Sequence, residues 1–133
     1  MHEASLTLRW KRPALKESIF AIQAAAQRGH VTSTDLMAAL PQFPLVRLTL
    51  ALDALIASDL AAVNNQVLWV SPDVKLLCEL SENPCTFQVQ RLPDLNDRSK
   101  REELVRQFLI GQRAMNPEGM LALLRVDTKE VKP

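Results

Sequence analysis

The sequence predicts an α+β protein, because three stretches of the chain show the periodicities of a strand, of helices and of a hairpin. Residues 5–10 alternate polar and apolar side chains, which is typical of a strand with one buried face. Apolar residues between positions 15 and 57 recur at helical spacing, which predicts helices. Residues 60–70 hold two short apolar runs around Asn64 and Asn65, which tolerate the positive φ angles of a tight turn.

The composition is that of an ordinary globular domain. The chain has 133 residues, of which 47% are hydrophobic and 23% charged, and its formal net charge is +1. This length suits one domain, or one small domain with an extension. No apolar run approaches the roughly 18–20 residues that span a bilayer, and residues 1–5 do not resemble a signal peptide. Two cysteines are too few for a disulfide framework. We therefore expect a cytoplasmic protein that does not contact a membrane.

Start and stop signals divide residues 13–60 into three helices. Pro13 suits the first turn of a helix that Gly29 ends. Thr32 and Asp35 have the spacing of a capping box, which predicts a second, short helix. Pro44 is well placed to begin the third helix. The expected buried face of that helix consists of Leu45, Leu48, Leu52, Leu55 and Ile56.

The order of these elements is strand, helix, short link, helix, turn, helix and two-stranded hairpin. Residues from about 15 to 70 thereby resemble a winged-helix domain, the helix-turn-helix variant with a β-hairpin wing. The resemblance is carried by Arg28–Leu36, Leu48–Leu60 and the wing tip at Asn64 and Asn65. It implies a winged helix-turn-helix core in residues 1–70, and members of this superfamily that bind DNA place the third helix in the major groove.

Residues 71–133 are expected to form a mainly helical extension, either separate from residues 1–70 or packed on them as one unit. Ser71–Pro72–Asp73 is a good helix opening, and the alternation over residues 85–90 predicts a strand. We expect residues 92–97 to form a loop.

Two more helices are expected after this loop. Ser99 and Glu102 have a second capping-box spacing. The helix that follows would be lined by Leu104, Val105, Phe108 and Met115. Asn116–Pro117 predicts the last short helix, and residues 127–133 are expected to be a frayed tail.

Catalysis has little support in this sequence. The three glycines are too scattered to form a phosphate-binding loop, and the chain has no tyrosine. His2 lies near a terminus and His30 lies at an expected turn, so neither is favoured as a catalytic base. Cys78, Cys85 and His30 are the residues to weigh as zinc ligands. Six residues separate the two cysteines, which is longer than the usual spacing of paired zinc ligands, and a fourth ligand is missing. We expect no enzyme activity, no cofactor and no metal.

The third helix carries the main functional prediction. Successive residues of a helix are about 100° apart. On this basis the side of the helix away from its core holds Val46, Arg47, Leu50, Asp53, Ala54 and Ala57. Four of these side chains are apolar, and an apolar outer face is covered either internally, by the C-terminal helices, or externally, by another protein.

We interpret the apolar members of this face as a partner-binding site. They are Val46, Leu50, Ala54 and Ala57. The expected function is a non-catalytic winged-helix module for protein association, as a subunit of an assembly that handles DNA. The partner is either a different protein or a second copy of the chain.

The alternative is a dimeric transcription regulator that binds DNA, with the C-terminal helices as its dimer interface. Its DNA-binding residues would be Lys11, Arg12, Arg47, Asn64 and Asn65. The small net charge and the uncharged wing tip argue against it, because DNA-binding proteins neutralise phosphates with cations. Two groups of basic residues have two possible roles, either as part of a solvated surface or as contacts to phosphates. They are Arg9, Lys11 and Arg12, and Arg98, Lys100 and Arg101.

Overall fold

The computed structural model describes residues 2–83, 85–89 and 97–131, which form both helices and antiparallel strands. The predicted α+β class is therefore confirmed. In these ranges, none of the helices has the length and apolar content that crossing a bilayer requires. In chain order the elements are β1 (His2–Trp10), a 3₁₀ turn (Pro13–Leu15), α1 (Lys16–Gln27), α2 (Ser33–Ala39), α3 (Leu45–Ala57), β2 (Ala61–Asn64), β3 (Val67–Val70), α4 (Asp73–Glu82), β4 (Cys85–Val89), α5 (Arg98–Gly111), α6 (Pro117–Leu123) and β5 (Leu124–Val131).

Strand β1 is the central strand of an antiparallel sheet with the order β4-β1-β5. Alternate residues of a strand face opposite sides of the sheet. The buried face of β1 consists of Ala4, Leu6, Leu8 and Trp10, as the alternation predicts. On β5, the buried Val126 lies opposite Leu8. Both partners of β1 come from residues 71–133, so the first and the last parts of the chain share one sheet.

The prediction of a frayed tail at residues 127–133 is wrong as far as Val131. Strand β5 pairs with β1 over its whole length, and the predicted mainly helical extension therefore also contains two strands. Leu124 and Val126 face the core, whereas Arg125 and Asp127 face the other side. Half of the residues of β5 are charged. The strand with which β5 pairs, β1, lies at the other end of the chain. Local periodicity therefore gives little indication of β5.

Helices α1, α2 and α3 follow the predicted signals closely. Gly29 ends α1 with a φ of +93°, a conformation that side chains with a Cβ rarely adopt. The Thr32 hydroxyl accepts a hydrogen bond from the Asp35 N–H at 3.1 Å, which caps α2. Helix α3 begins directly after Pro44.

The buried face of α3 differs from the prediction at both ends of the helix. Leu48, Ala51 and Leu55 are fully buried, and Leu52 packs against the same core. Leu45 is 63% exposed and Ile56 is 40% exposed, so their predicted burial is wrong. The helix is rotated so that Ala51 faces the core, and a pattern built on large apolar residues misses this small one.

Strands β2 and β3 form the predicted hairpin, with the turn displaced by one residue. Asn65 and Gln66 are the two turn residues, with φ of +52° and +66°, whereas Asn64 pairs with Val67 at the ends of the strands. The predicted tip at Asn64–Asn65 is corrected accordingly. The Leu68 N–H donates to the Val31 carbonyl at 2.7 Å, so the link before α2 lies beside β3.

The second half of the chain contains the predicted helices with changed boundaries. Helix α4 begins at Asp73, and the strand predicted at residues 85–90 is confirmed over Cys85–Val89. Residue 90 lies outside the described residues. Helix α5 is capped by Asp97, whose carboxylate accepts from the Ser99 N–H at 2.9 Å, so the predicted cap at Ser99 is wrong. Asp97 is the only described residue of the expected loop at 92–97. The other five lie outside the described residues.

Two expectations about the last helices have opposite outcomes. Asn116 caps α6 as predicted, since its side chain accepts from the Gly119 N–H at 3.0 Å. Met115 is expected in the core but is exposed, because α5 ends at Gly111. The residues of α5 that are buried are Val105 and Leu109.

Candidate functional site

Helix α3 presents its outer face to solvent. Val46 is 68% exposed and Leu50 is 43% exposed, and Ala57 is exposed as well. Ala54 is half-buried and packs against the core, so it lies at the border of the predicted site. The alternative in which the C-terminal helices cover this face is wrong for the part of the chain that the structure describes. We call one exposed arc of α3 the outer face and define it as Leu45, Val46, Thr49, Leu50, Asp53, Ile56 and Ala57. The exposed Arg47 lies next to this arc, beyond Leu50 and Ala54 in helical projection.

The outer face is nearly uncharged. Asp53 is its one ionisable residue. The Thr49 hydroxyl donates to the Leu45 carbonyl at 2.9 Å, so its proton is used within the helix. Arg47 is exposed and lies in the first turn, on the far side of Val46 from Leu45 in helical projection. The arrangement is a helix face of large apolar side chains with one carboxylate near its middle.

A cleft of about 90 Å³ extends this face from α3 to α2. Leu45 and Met37 both line it, and both side chains are exposed. Leu36 and Leu48 form part of its floor, and both are buried. The apolar surface therefore spans two helices, as is common at surfaces where proteins bind helices.

The hairpin carries apolar side chains but no cation. Asn64 and Asn65 are exposed, as their predicted role at the wing requires. Trp69 is half-exposed, and the exposed Val67 lies two residues before it on the same face of β3. Residues 60–70 contain no lysine or arginine, so this hairpin offers little attraction to phosphates.

The basic residues of the DNA-binding alternative lie on different elements. Lys11 and Arg12 are exposed after the end of β1, where they line a cleft of about 100 Å³ with Ala122 and Leu123. Arg47 lies in the first turn of α3. Asn64 and Asn65 are in the hairpin, so the proposed contacts come from three separate places in the fold.

The residues weighed as metal ligands do not form a cluster in the described part of the chain. No group of three or more His, Cys, Asp and Glu side chains converges there. Cys78 is buried on α4 among core residues, and this burial raises the pKa of its thiol to about 12. The thiol is therefore protonated at neutral pH, and a protonated thiol is a poor metal ligand and nucleophile.

His30 is half-buried at the edge of a cleft that measures about 520 Å³. Its backbone N–H donates to the Ala25 carbonyl at 3.0 Å and so helps to end α1. Arg28 and Asp35 line the same cleft, whose floor consists mainly of alanines. The structure thus gives His30 a position at a turn, as the sequence predicts.

The sequence gives no indication of one polar group that holds the end of α3 in place. Asp73 is buried, and its carboxylate accepts from the backbone N–H groups of Met115 and Asn116 at 2.9 and 2.6 Å. The Asn116 side-chain amide lies 3.3 Å from the Ser58 carbonyl, to which it donates. An aspartate in the first turn of a helix usually interacts favourably with the N-terminus of that helix. The burial of Asp73 depends instead on a segment more than 40 residues away.

Comparisons with protein-family models, with curated proteins and with solved structures give no match to this chain.

Proposed function

We propose that the chain is a non-catalytic binding module of the winged helix-turn-helix type, which docks on a protein partner through the outer face of α3. The partner belongs to an assembly that handles DNA. The observation that carries the proposal is the exposure of Val46 and Leu50 on a face with a single charge. The element order from β1 to β3 supports the winged-helix assignment, since the three helices precede a two-stranded hairpin.

Burial of the outer face would stabilise a complex substantially. Complete burial of one valine or leucine side chain contributes about 1.5–3 kcal/mol. Leu45, Val46, Leu50 and Ile56 are each between 40% and 68% exposed. A few well-packed residues of this kind supply most of the affinity in many interfaces.

The chemistry of the face favours a different protein over a second copy of the chain. Ala57 is small and lies between Val46 and Leu50 in helical projection, so a partner helix can approach closely there. A cation of the partner would pair with the Asp53 carboxylate in the interface. A second copy would add a second Asp53 to the same apolar interface, and like charges in an interface are unfavourable. We infer that the occupant is an apolar helix with one lysine or arginine.

Photo-cross-linking tests the proposal in cells that produce the whole chain. A photoreactive amino acid replaces Val46 on the outer face or, as a matched control, the equally apolar and exposed Ile110 on α5. We expect position 46 to cross-link to a helical segment with a basic residue, identified by mass spectrometry. The cross-link should be lost when Leu50→Asp is added. Position 110 should not give it.

Two results would overturn this choice. Cross-links between two copies of the chain at position 46, together with a dimer in sedimentation, would show that the occupant is a second copy. Equal labelling from positions 46 and 110 would show that the outer face docks nothing.

The DNA-binding regulator is the weaker alternative. On α3 it relies on Arg47 beside an apolar face, and its hairpin contains no cation. It predicts that Arg47→Gln weakens binding to a DNA duplex.

A further inference from the structure

A basic surface lies on the solvent side of the sheet. Arg9 on β1 lies opposite Arg125 on β5, and both side chains are more than half exposed. Lys129 is four residues farther along β5 and on the same face. Ser5 and Thr7 fill the same face of β1 and are only half-buried. We call this the basic face.

One carboxylate serves two arginines on this face. The same Asp127 oxygen, Oδ2, lies 2.9 Å from Arg9 Nε and 3.6 Å from Arg125 Nε. Asp127 is itself half-exposed, at 45%. Among the residues of this side of β1 and β5 whose side chains the structure describes, the three cations Arg9, Arg125 and Lys129 thus face one anion, Asp127. Glu3 shares this face by its register on β1. The guanidinium groups keep donors that Asp127 does not occupy, because each has five N–H groups.

Helix α5 brings the second basic group of the sequence to this surface. Arg98 and Arg101 line a cleft of about 180 Å³ together with Arg125 and Asp127. Arg98 is mostly exposed and pairs with Glu102 at 3.1 Å. The groups around Arg9 and Arg98, which are far apart in sequence, therefore meet around Asp127.

The end of β1 continues the surface. The Lys11 N–H donates to the Leu123 carbonyl at 3.0 Å, so the strand pairing runs one residue past Trp10. Lys11 and Arg12 are both exposed there. The basic face thus extends from Lys129 past Arg9 to the start of the 3₁₀ turn.

We propose that the basic face binds the phosphate backbone of a double-stranded nucleic acid. Lys129 and Arg125 are four strand residues apart, a span of about 13 Å. Cations spread over this length match a row of phosphates, whereas a single small anion requires cations that converge on one point. Arginine suits this role because its planar group binds two phosphate oxygens at once. The residues of the face whose side chains the structure describes are polar or charged. This favours a nucleic acid over a lipid surface, for which an apolar anchor is expected.

The surface lies on different elements from the outer face of α3. The two proposals can therefore fail separately. The present proposal also places the nucleic-acid contact on the sheet, whereas the DNA-binding alternative places this contact on α3 and the hairpin. Contacts to phosphates carry no sequence information, so the binding should be non-specific.

Fluorescence anisotropy with a labelled random-sequence DNA duplex tests this proposal on the whole chain. We expect binding at low salt that weakens as salt rises, with a slope of about −0.9 per phosphate contact. The double variant Arg125→Gln/Lys129→Gln should reduce this slope by about 2 and weaken binding about tenfold at low salt. The controls Arg28→Gln, at the exposed end of α1, and Arg47→Gln, on α3, should bind as the wild type does.

A gain of binding makes the test independent of folding. Asp127→Asn removes the carboxylate that Arg9 and Arg125 share, so it should tighten duplex binding, and misfolding cannot produce this result. Inorganic phosphate at constant ionic strength should not displace the duplex.

Four results would overturn the proposal. They are the absence of duplex binding at low salt, displacement by millimolar phosphate, loss of binding in Arg47→Gln but not in the double variant, and binding to anionic vesicles without binding to the duplex.

Discussion

Asp73 and Asn116 are joined by a 2.6 Å hydrogen bond from the backbone N–H of Asn116 to the buried Asp73 carboxylate. The Asn116 side chain donates to the Ser58 carbonyl and accepts from the Gly119 N–H. One residue therefore connects the end of α3, the start of α4 and the start of α6. This connection holds the C-terminal end of the outer face in a fixed position relative to the core.

The first prediction concerns the Asp73 carboxylate. Asp73→Ala should lower the free energy of unfolding by about 2–4 kcal/mol, because two backbone N–H groups lose their partner in a buried site. Asp53→Ala, at an exposed position, should stay within about 0.5 kcal/mol of the wild type. Urea denaturation measures both values. Equal stability of the two variants would contradict the role of Asp73.

The second prediction concerns two glycines in helices. A Cβ on Gly119 would overlap the Ser58 carbonyl oxygen, whereas a Cβ on Gly111 would meet nothing within 4 Å. Gly119→Ala should therefore destabilise the fold by about 1–3 kcal/mol. Gly111→Ala should be neutral or stabilising by up to about 1 kcal/mol, since alanine favours helix. Thermal unfolding compares them, and a stable Gly119→Ala protein would mean that α6 does not approach the end of α3 so closely.

The third prediction concerns the hairpin turn. Gln66 has a φ of +66°, which costs a residue with a Cβ about 1–2 kcal/mol. Gln66→Gly creates an Asn-Gly pair, which is preferred in two-residue turns of this kind. We expect the free energy of unfolding to rise by about 0.5–1 kcal/mol, after the entropic cost of glycine in the unfolded chain. A decrease would contradict the positive φ at this position.

The fourth prediction concerns the Cys78 thiol. In a Cys85→Ser variant, where Cys78 is the only cysteine, a thiol reagent should label the native protein very slowly and the urea-unfolded protein rapidly. Labelling measured over time by absorbance tests this. Fast labelling under native conditions would contradict the burial of Cys78.

The raised pKa of Cys78 also has a consequence for stability. The folded thiol ionises near pH 12, whereas the unfolded thiol ionises near its ordinary pKa of 9.0. Stability from this group is therefore complete below about pH 9 and is lost as the pH rises from there towards 12. Cys78→Ala should remove this component of the alkaline decline.

Local signals in the sequence predict the helices, the hairpin and the orientation of β1. Thr32 caps α2 and Asn116 caps α6 through contacts within three residues, so the residue types alone are informative. The pairing of β1 with β4 and β5 depends on contacts between distant segments. The burial of Asp73 also depends on contacts between distant segments. Local sequence patterns therefore predict neither the strand pairing nor this burial.

The candidate site is partly predictable for the same reason. Helical projection places Val46, Leu50 and Ala57 on one side of α3, and all three are exposed. It fails at Leu45 and Ile56, because the buried Ala51 rotates the core-facing side away from them. The basic face is not predictable from spacing, since Arg9 and Arg125 become neighbours only when the sheet forms.

The most direct test of the docking account compares the unfolding free energies of Leu50→Asp and Leu55→Asp. Leu50 is 43% exposed, whereas Leu55, five residues farther along the same helix, is fully buried. Leu50→Asp should stay within about 1 kcal/mol of the wild type. Leu55→Asp should leave the chain largely unfolded, because it places a carboxylate in the core. Unfolding of both variants would show that the chain itself covers the outer face, and the proposed docking surface would be lost.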